Sequence, residues 1–210
     1  MWFIETVKRS FIPKAGARKP VPGHHAGFSL PELLLVLAII GIMASIAVVA
    51  IDRNLPGFQA DRAAKQVSTA LREARTLAMS TRHDVAVNFV GNQIRLDALG
   101  LNSEKVSSIL LADRTLTGDT AFIDPANFEI EDDTPDNFGN DAAIDFGGAE
   151  NVRFSADGFL ESSANPDNPI NGTIFTGIAG NPNTVRAITI MGSTGIVHIW
   201  GWSNGQWVRR

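Results

Sequence analysis

The run from Leu33 to Ile51 contains no charged residue, and no other feature restricts the chain as much. As a helix rising ~1.5 Å per residue it extends roughly 28 Å, close to the ~30 Å hydrocarbon core of a bilayer. Its polar interruptions, Gly41 and Ser45, are small enough for a lipid-embedded helix. A helix at the edge of a globular core keeps a polar face, whereas this run is apolar on every side. A secretory signal peptide carries an apolar stretch of about 7–15 residues that ends at an Ala-x-Ala-like site. Here the stretch is longer, and Ala44, Ala47 and Ala50 stand three apart. A plain signal anchor remains the simplest reading of the run alone.

Charge gives the run a direction. Lys8, Arg9, Lys14, Arg18 and Lys19 face only Glu5 before residue 28, while the rest of the chain holds 13 bases against 21 acids. Lys and Arg are retained on the cytoplasmic side of a span. A basic head before an acidic body therefore predicts a cytoplasmic N-terminus and an exported C-terminal part. The chain has no Cys, so no disulfide supports that part.

A plain anchor leaves the junction unexplained. The sequence reads Gly27-Phe28-Ser29-Leu30-Pro31-Glu32 and then enters the run. Glu32 thus stands one residue into a membrane-crossing helix, with Phe28 and Leu30 before it. A carboxylate there costs free energy, on the order of a few kcal/mol near the bilayer centre and less toward the interface, and it calls for a cationic partner.

The stretch Gly-Phe-Ser-Leu-Pro-Glu-Leu-Leu, followed by Leu-Ala-Ile-Ile-Gly-Ile, resembles the class III signal of type IV pilins and type II secretion pseudopilins. The resemblance implies cleavage by a prepilin peptidase between Gly27 and Phe28, N-methylation of Phe28, and an assembly role for Glu32. In that family the Glu of an incoming subunit pairs with the N-terminal amine of a neighbour already in the filament. A Gly before the cut suits a narrow site, since it has no side chain. Pro31 falls in the first helical turn, where no hydrogen-bond donor is lost. Val49 stands where major pilins often carry a helix-breaking Pro, and Pro56-Gly57 is expected to bend the helix instead.

Beyond the expected turn at Asn54-Leu55-Pro56-Gly57, residues Ala60, Ala63, Ala64, Val67, Leu71, Ala74 and Ala78 recur at helical spacing. Asp61, Arg62, Lys65, Arg72, Glu73 and Arg75 fill the opposite, solvated side. The period then changes to two. Val85, Val87 and Phe89 lead through Gly91-Asn92 to Ile94 and Leu96, as in a hairpin. Further strands are predicted at Val152–Phe154, Thr173–Thr176, Val185–Met191 and Ile196–Trp202. Turns are expected at Asp157-Gly158, Asn181-Pro182-Asn183 and Ser193-Thr194-Gly195, the last two strands forming a terminal hairpin. One long helix followed by antiparallel strands is an α+β fold.

This second half resembles the GspH/FimT type of minor pilin. The similarity lies in the helix ending Leu71-Arg72-Glu73-Ala74-Arg75-Thr76-Leu77-Ala78, the Val-rich hairpin after it, and the later strands. It implies four parts: a cytoplasmic leader, 1–27, which is removed; a transmembrane and assembly helix, 28–52; an amphipathic half of the long helix, 53–82; and a periplasmic β-rich domain, 83–210. The implied partners are other pilin or pseudopilin subunits, the prepilin peptidase and the inner-membrane assembly platform.

The segment from Asp97 to Glu150 is acidic and is read as a variable, solvated loop. Its spacing does not match an EF-hand, so weak calcium binding at most is expected, and no cofactor or metal is assigned. There is no P-loop, Gly-x-Ser-x-Gly elbow, His-Glu-x-x-His or Gly-x-Gly-x-x-Gly, so no catalytic residue is assigned and no enzyme is expected. His83 and His198 are read as surface or packing residues. Trp200, Trp202 and Trp207 are read as sheet-face packing, with a subunit contact as the alternative. Two rival functions stay open: a DNA-binding minor pilin of competence, and an unprocessed single-span anchored domain. Nucleic-acid binding needs clustered Lys and Arg, and the acidic body argues against it.

Overall fold

The computed structural model describes residues 28–100, 109–128, 130, 134–139, 141–149 and 151–210; for residues 47–53, 109 and 111 only the backbone is described. The expected leader with Gly27, and Glu129, Glu131, Asp132, Asp133 and Glu150 of the acidic segment, lie outside the described residues.

The chain is α+β. Helix α1, Leu30–Thr81, precedes an all-antiparallel set of strands. Two compact units divide it, one ending at Ile46 and the other running Ala47–Arg210. The expected break at Asn54-Leu55-Pro56-Gly57 is absent, since α1 runs through Pro56. A helix-interior proline costs ~3 kcal/mol through one lost hydrogen bond and a clash. The face just downstream offsets this: Ala60, Ala63, Ala64, Val67, Ala70, Leu71, Ala74 and Ala78 are all buried. Their spacing is the one read from the sequence, and the short Ala side chains let the helix approach the strands closely.

In the second unit one sheet holds β1 (Val85–Val90), β2 (Gln93–Ala98), β3 (Ile109–Thr115), β6 (Val152–Phe154), β7 (Leu160–Ser162) and β8 (Asn165–Pro169), in the order β3-β2-β1-β6-β7-β8. The other runs β12-β11-β10-β9-β4, with β5 also pairing β9. Its members are β4 (Ala121–Phe122), β5 (Ile144–Asp145), β9 (Gly172–Ile178), β10 (Asn181–Met191), β11 (Ile196–Ser203) and β12 (Gln206–Arg209). The main core joins α1 to Val85, Val87, Ile94, Leu96, Val152, Phe154 and Leu160 of the first sheet and Ile174, Ile188, Ile190 and Val197 of the second.

The second sheet is apolar on both faces. Phe175, Val185 and Ala187 point away from the main core and pack with Ile123, Ile130, Phe128, Trp200, Trp202 and Trp207. The acidic segment is therefore not simply a solvated loop. It supplies β3, β4, β5 and two short 3-10 turns, Pro125–Phe128 and Pro135–Asn137. Within it Asp97 and Asp145 are buried. Asp145 accepts bonds from the Gly147 and Asp141 amides at 2.8 and 3.1 Å.

Two turns differ from expectation. Residues 181–183 begin β10, and the reversal falls one step earlier at Gly180, whose φ is +75°. The terminal hairpin is a three-strand meander, because β12 pairs β11 from Trp200↔Arg209 to Ser203↔Gln206.

Candidate assembly site

Two of the three residues singled out by the sequence are described, and both lie at the start of α1. The Leu33 amide donates to the Ser29 carbonyl at 3.1 Å, closing the first helical turn. Pro31 sits inside that turn, where its missing N–H costs nothing. Glu32 is the acid of the first turn, where unpaired amides and the helix dipole favour a carboxylate. Among the described residues Glu32 has no ion-pair partner. Phe28, which precedes the helix, is 82% exposed. The third residue, Gly27, lies outside the described part.

Every side chain described from Phe28 to Ile46 is exposed. Leu33, Leu34, Leu35, Leu37, Ile39, Ile40, Ile42, Met43 and Ile46 thus form an apolar surface on all sides of this part of α1. The Ser45 hydroxyl donates back to the Ile42 carbonyl at 2.7 Å, so the one hydroxyl of the run is satisfied within the helix. Among the described residues no helix is long and apolar enough to cross a membrane. The uncharged run continues past Ile46 into residues 47–51, whose side chains are outside the description.

In the second unit the polar side of α1 is less free than its sequence suggests. Asp61 pairs with the buried Arg186 of β10 at 2.7 Å. Glu73 pairs with Arg114 of β3. Arg75 donates from Nε to the Gly158 carbonyl at 3.1 Å, and Arg72 to the Val197 carbonyl at 3.3 Å. These contacts moor the helix to strands and turns far away in sequence.

A second polar constellation was not legible from spacing. Asp136, in the second 3-10 turn, accepts a hydrogen bond from the Thr189 hydroxyl at 2.6 Å and lies 3.1 Å from Nδ1 of His198. Thr189 in turn accepts from Nε1 of Trp200 at 3.1 Å. Burial alone would raise the Asp136 pKa, but bonds from Thr189, His198 and Trp200, with the attraction of the imidazole, hold it below the ordinary carboxylate value. The network ties the segment around Pro135 to β10 and β11. His198 is thus a packing partner on the sheet face, and the three tryptophans pack where the sequence put them. Among the described residues no group of three acids, histidines or cysteines is placed to hold a metal.

Residues 23–48 match the family described as "Prokaryotic N-terminal methylation motif". No curated protein matches the chain. Two crystal structures of the type IV minor pilin FimU of Pseudomonas aeruginosa (strain PAO1) are similar to it, each at 14% sequence identity. One has a TM-score of 0.44 and covers 75% of this chain and 96% of FimU. The other has a TM-score of 0.42 and covers 70% and 94%. The methylation motif thus lies over the junction that holds Gly27, Phe28 and Glu32, and an α+β fold follows it.

Proposed function

We propose that the chain is a minor pilin or minor pseudopilin, a structural subunit of a type IV pilus or a type II secretion pseudopilus. The observation that carries this reading is the N-terminal junction: a methylation motif over Glu32, which has no ion-pair partner among the described residues and heads a stretch of α1 that is apolar and exposed as far as Ile46. A prepilin peptidase cuts between Gly27 and Phe28, and the new amine of Phe28 is methylated. The helix is then held in the inner membrane, with the basic leader in the cytoplasm and residues 83–210 in the periplasm. On assembly the apolar surface packs against helices of other pilin-like subunits. Glu32 meets the cationic N-terminal amine of a neighbour and fixes the axial register, because an unpaired carboxylate among apolar helices is costly. The inner-membrane platform and its motor act on the subunit as separate partners, and the chain itself performs no catalysis.

The test is the mass of the mature N-terminus after co-expression with a prepilin peptidase, with Glu32→Ala in parallel. Methylated Phe28 at the N-terminus, with Glu32→Ala cut but absent from sheared filaments, supports a filament subunit. An intact leader in the wild-type chain overturns it.

A further inference from the structure

We propose that a groove between α1 and the end of β3 is a docking site for an acidic segment of a second copy of this chain. The groove, of about 260 Å³, is lined by Arg62, Lys65, Gln66, Thr69, Arg114 and Thr117. The first four stand at i, i+3, i+4 and i+7 of α1, so they form one stripe. No carboxylate is among the lining residues.

The lining is built to donate. Arg114 is held in place by its ion pair with Glu73, which lies outside the lining. Gln66 Oε1 accepts from the Thr117 amide at 3.1 Å and from its hydroxyl at 2.8 Å. A backbone amide can only donate, so this contact fixes the Gln66 side chain with oxygen toward Thr117 and leaves its NH2 as a donor. Arg62 and Lys65 are exposed, and among the described residues neither has an ion-pair partner. Three cations and an amide therefore converge with one acceptor group already engaged.

The complement is in the same chain. Between Arg114 and Arg153 there are ten acids and no base, four of the acids lying between Glu129 and Asp133. A groove of this size holds a pair of carboxylate side chains. The described residues that flank these acids, Phe128, Ile130 and Asp136, pack on the second sheet, whereas the groove lies on α1 and β3; pairing between copies is therefore head-to-tail, the type of contact that propagates into open helices. A nucleic acid suits the groove less. Three cations release few counterions, and the acidic remainder of the chain repels a polyanion at long range. The proposal rests on the filament-subunit reading for its setting, while the groove can be tested alone.

The experiment is fluorescence anisotropy of a labelled peptide of residues 126–137 with the full chain in detergent micelles. Binding should weaken as salt rises and fall about tenfold or more in the Arg62→Glu, Lys65→Glu double variant, since exposed ion pairs are weak singly and are here reversed. The same peptide with Asn and Gln for its acids should not bind. Both substituted side chains are exposed, and an unchanged thermal midpoint checks that the variant is folded. Absence of peptide binding, or binding unaffected by the double variant, overturns the proposal. So does a single-stranded oligonucleotide that binds more tightly than the peptide and displaces it. Incorporation into filaments is scored separately. A wild-type chain that binds the peptide but never enters a filament sinks the filament reading and leaves the groove standing; a double variant that enters filaments at the wild-type level and still binds peptide does the reverse.

Discussion

Arg186 of β10 and Asp61 of α1 are joined by a 2.7 Å Nε–Oδ1 contact although 125 residues separate them. Arg186 is almost fully buried and also donates to the Asn183 and Val185 carbonyls at 2.9 and 3.0 Å. Asp61→Ala leaves the guanidinium with carbonyls alone as acceptors. The expected loss is about 2 kcal/mol, below the ~3–5 kcal/mol of a fully buried broken pair because Asp61 is partly solvated. Denaturant unfolding followed by tryptophan fluorescence measures it, and no change would mean that the carbonyls suffice.

A cluster with a more deeply buried acid lies between β6 and β7. Arg153 reaches Asp84 at 3.2 Å and Glu161, its partner across the ladder, at 3.8 Å, with Arg153 and Glu161 both buried. Arg153→Met should cost ~3–5 kcal/mol by leaving Glu161 uncompensated. Adding Glu161→Leu should recover most of that loss. A double variant as unstable as the single one would show that packing, not charge, accounts for the damage.

Two glycines should respond with opposite sign. A Cβ on Gly192 would stand 2.1 Å from the Ile170 carbonyl oxygen, a backbone atom, while one on Gly57 meets nothing within 4 Å. Gly192→Ala should cost about 3 kcal/mol through forced backbone movement. Gly57→Ala, inside α1, should gain ~0.5–1 kcal/mol from helix propensity. Thermal midpoints of the two variants decide the matter.

Asp136 predicts an acid-labile contact. Its pKa is depressed in the folded chain because the bonds from Thr189, His198 and Trp200 outweigh the opposing effect of burial. Such a group adds stability that is fully present above the unfolded carboxylate value of about 3.9. That stability is lost as pH falls through the lower folded value. Tryptophan fluorescence should report release of the Asp136–Thr189–Trp200 chain over that range in the wild type. Asp136→Asn should flatten this part of the profile, and an unchanged profile would place the acid sensitivity elsewhere.

The fold was legible where one period governed a segment. The helical spacing from Ala60 to Ala78 and the alternation from Val85 to Leu96 each reported a single buried face, and both elements formed as read. Pro56 misled because its local cost is visible in the sequence while the burial that offsets it is a tertiary quantity. The acidic segment misled for a related reason. Its few apolar residues, Ile123 and Ile130 among them, carry no period, yet they cover the outer face of the second sheet. At the candidate site the junction could be singled out because the methylation motif is one contiguous run of residues, 23–48. The Asp136–His198 contact and the cationic groove join residues 45 or more positions apart, and no spacing rule reaches that far.

Strand β8 closes one edge of its sheet with the sequence Asn165-Pro166-Asp167-Asn168-Pro169, every residue of it exposed. Two of its five residues have no N–H to offer, and Asp167 turns to a positive φ of 64°. An incoming strand would find no regular ladder to extend. Crowding of such molecules, however dense, is thereby kept from templating cross-β aggregates along this edge, which leaves ordered growth to surfaces that carry specific chemistry.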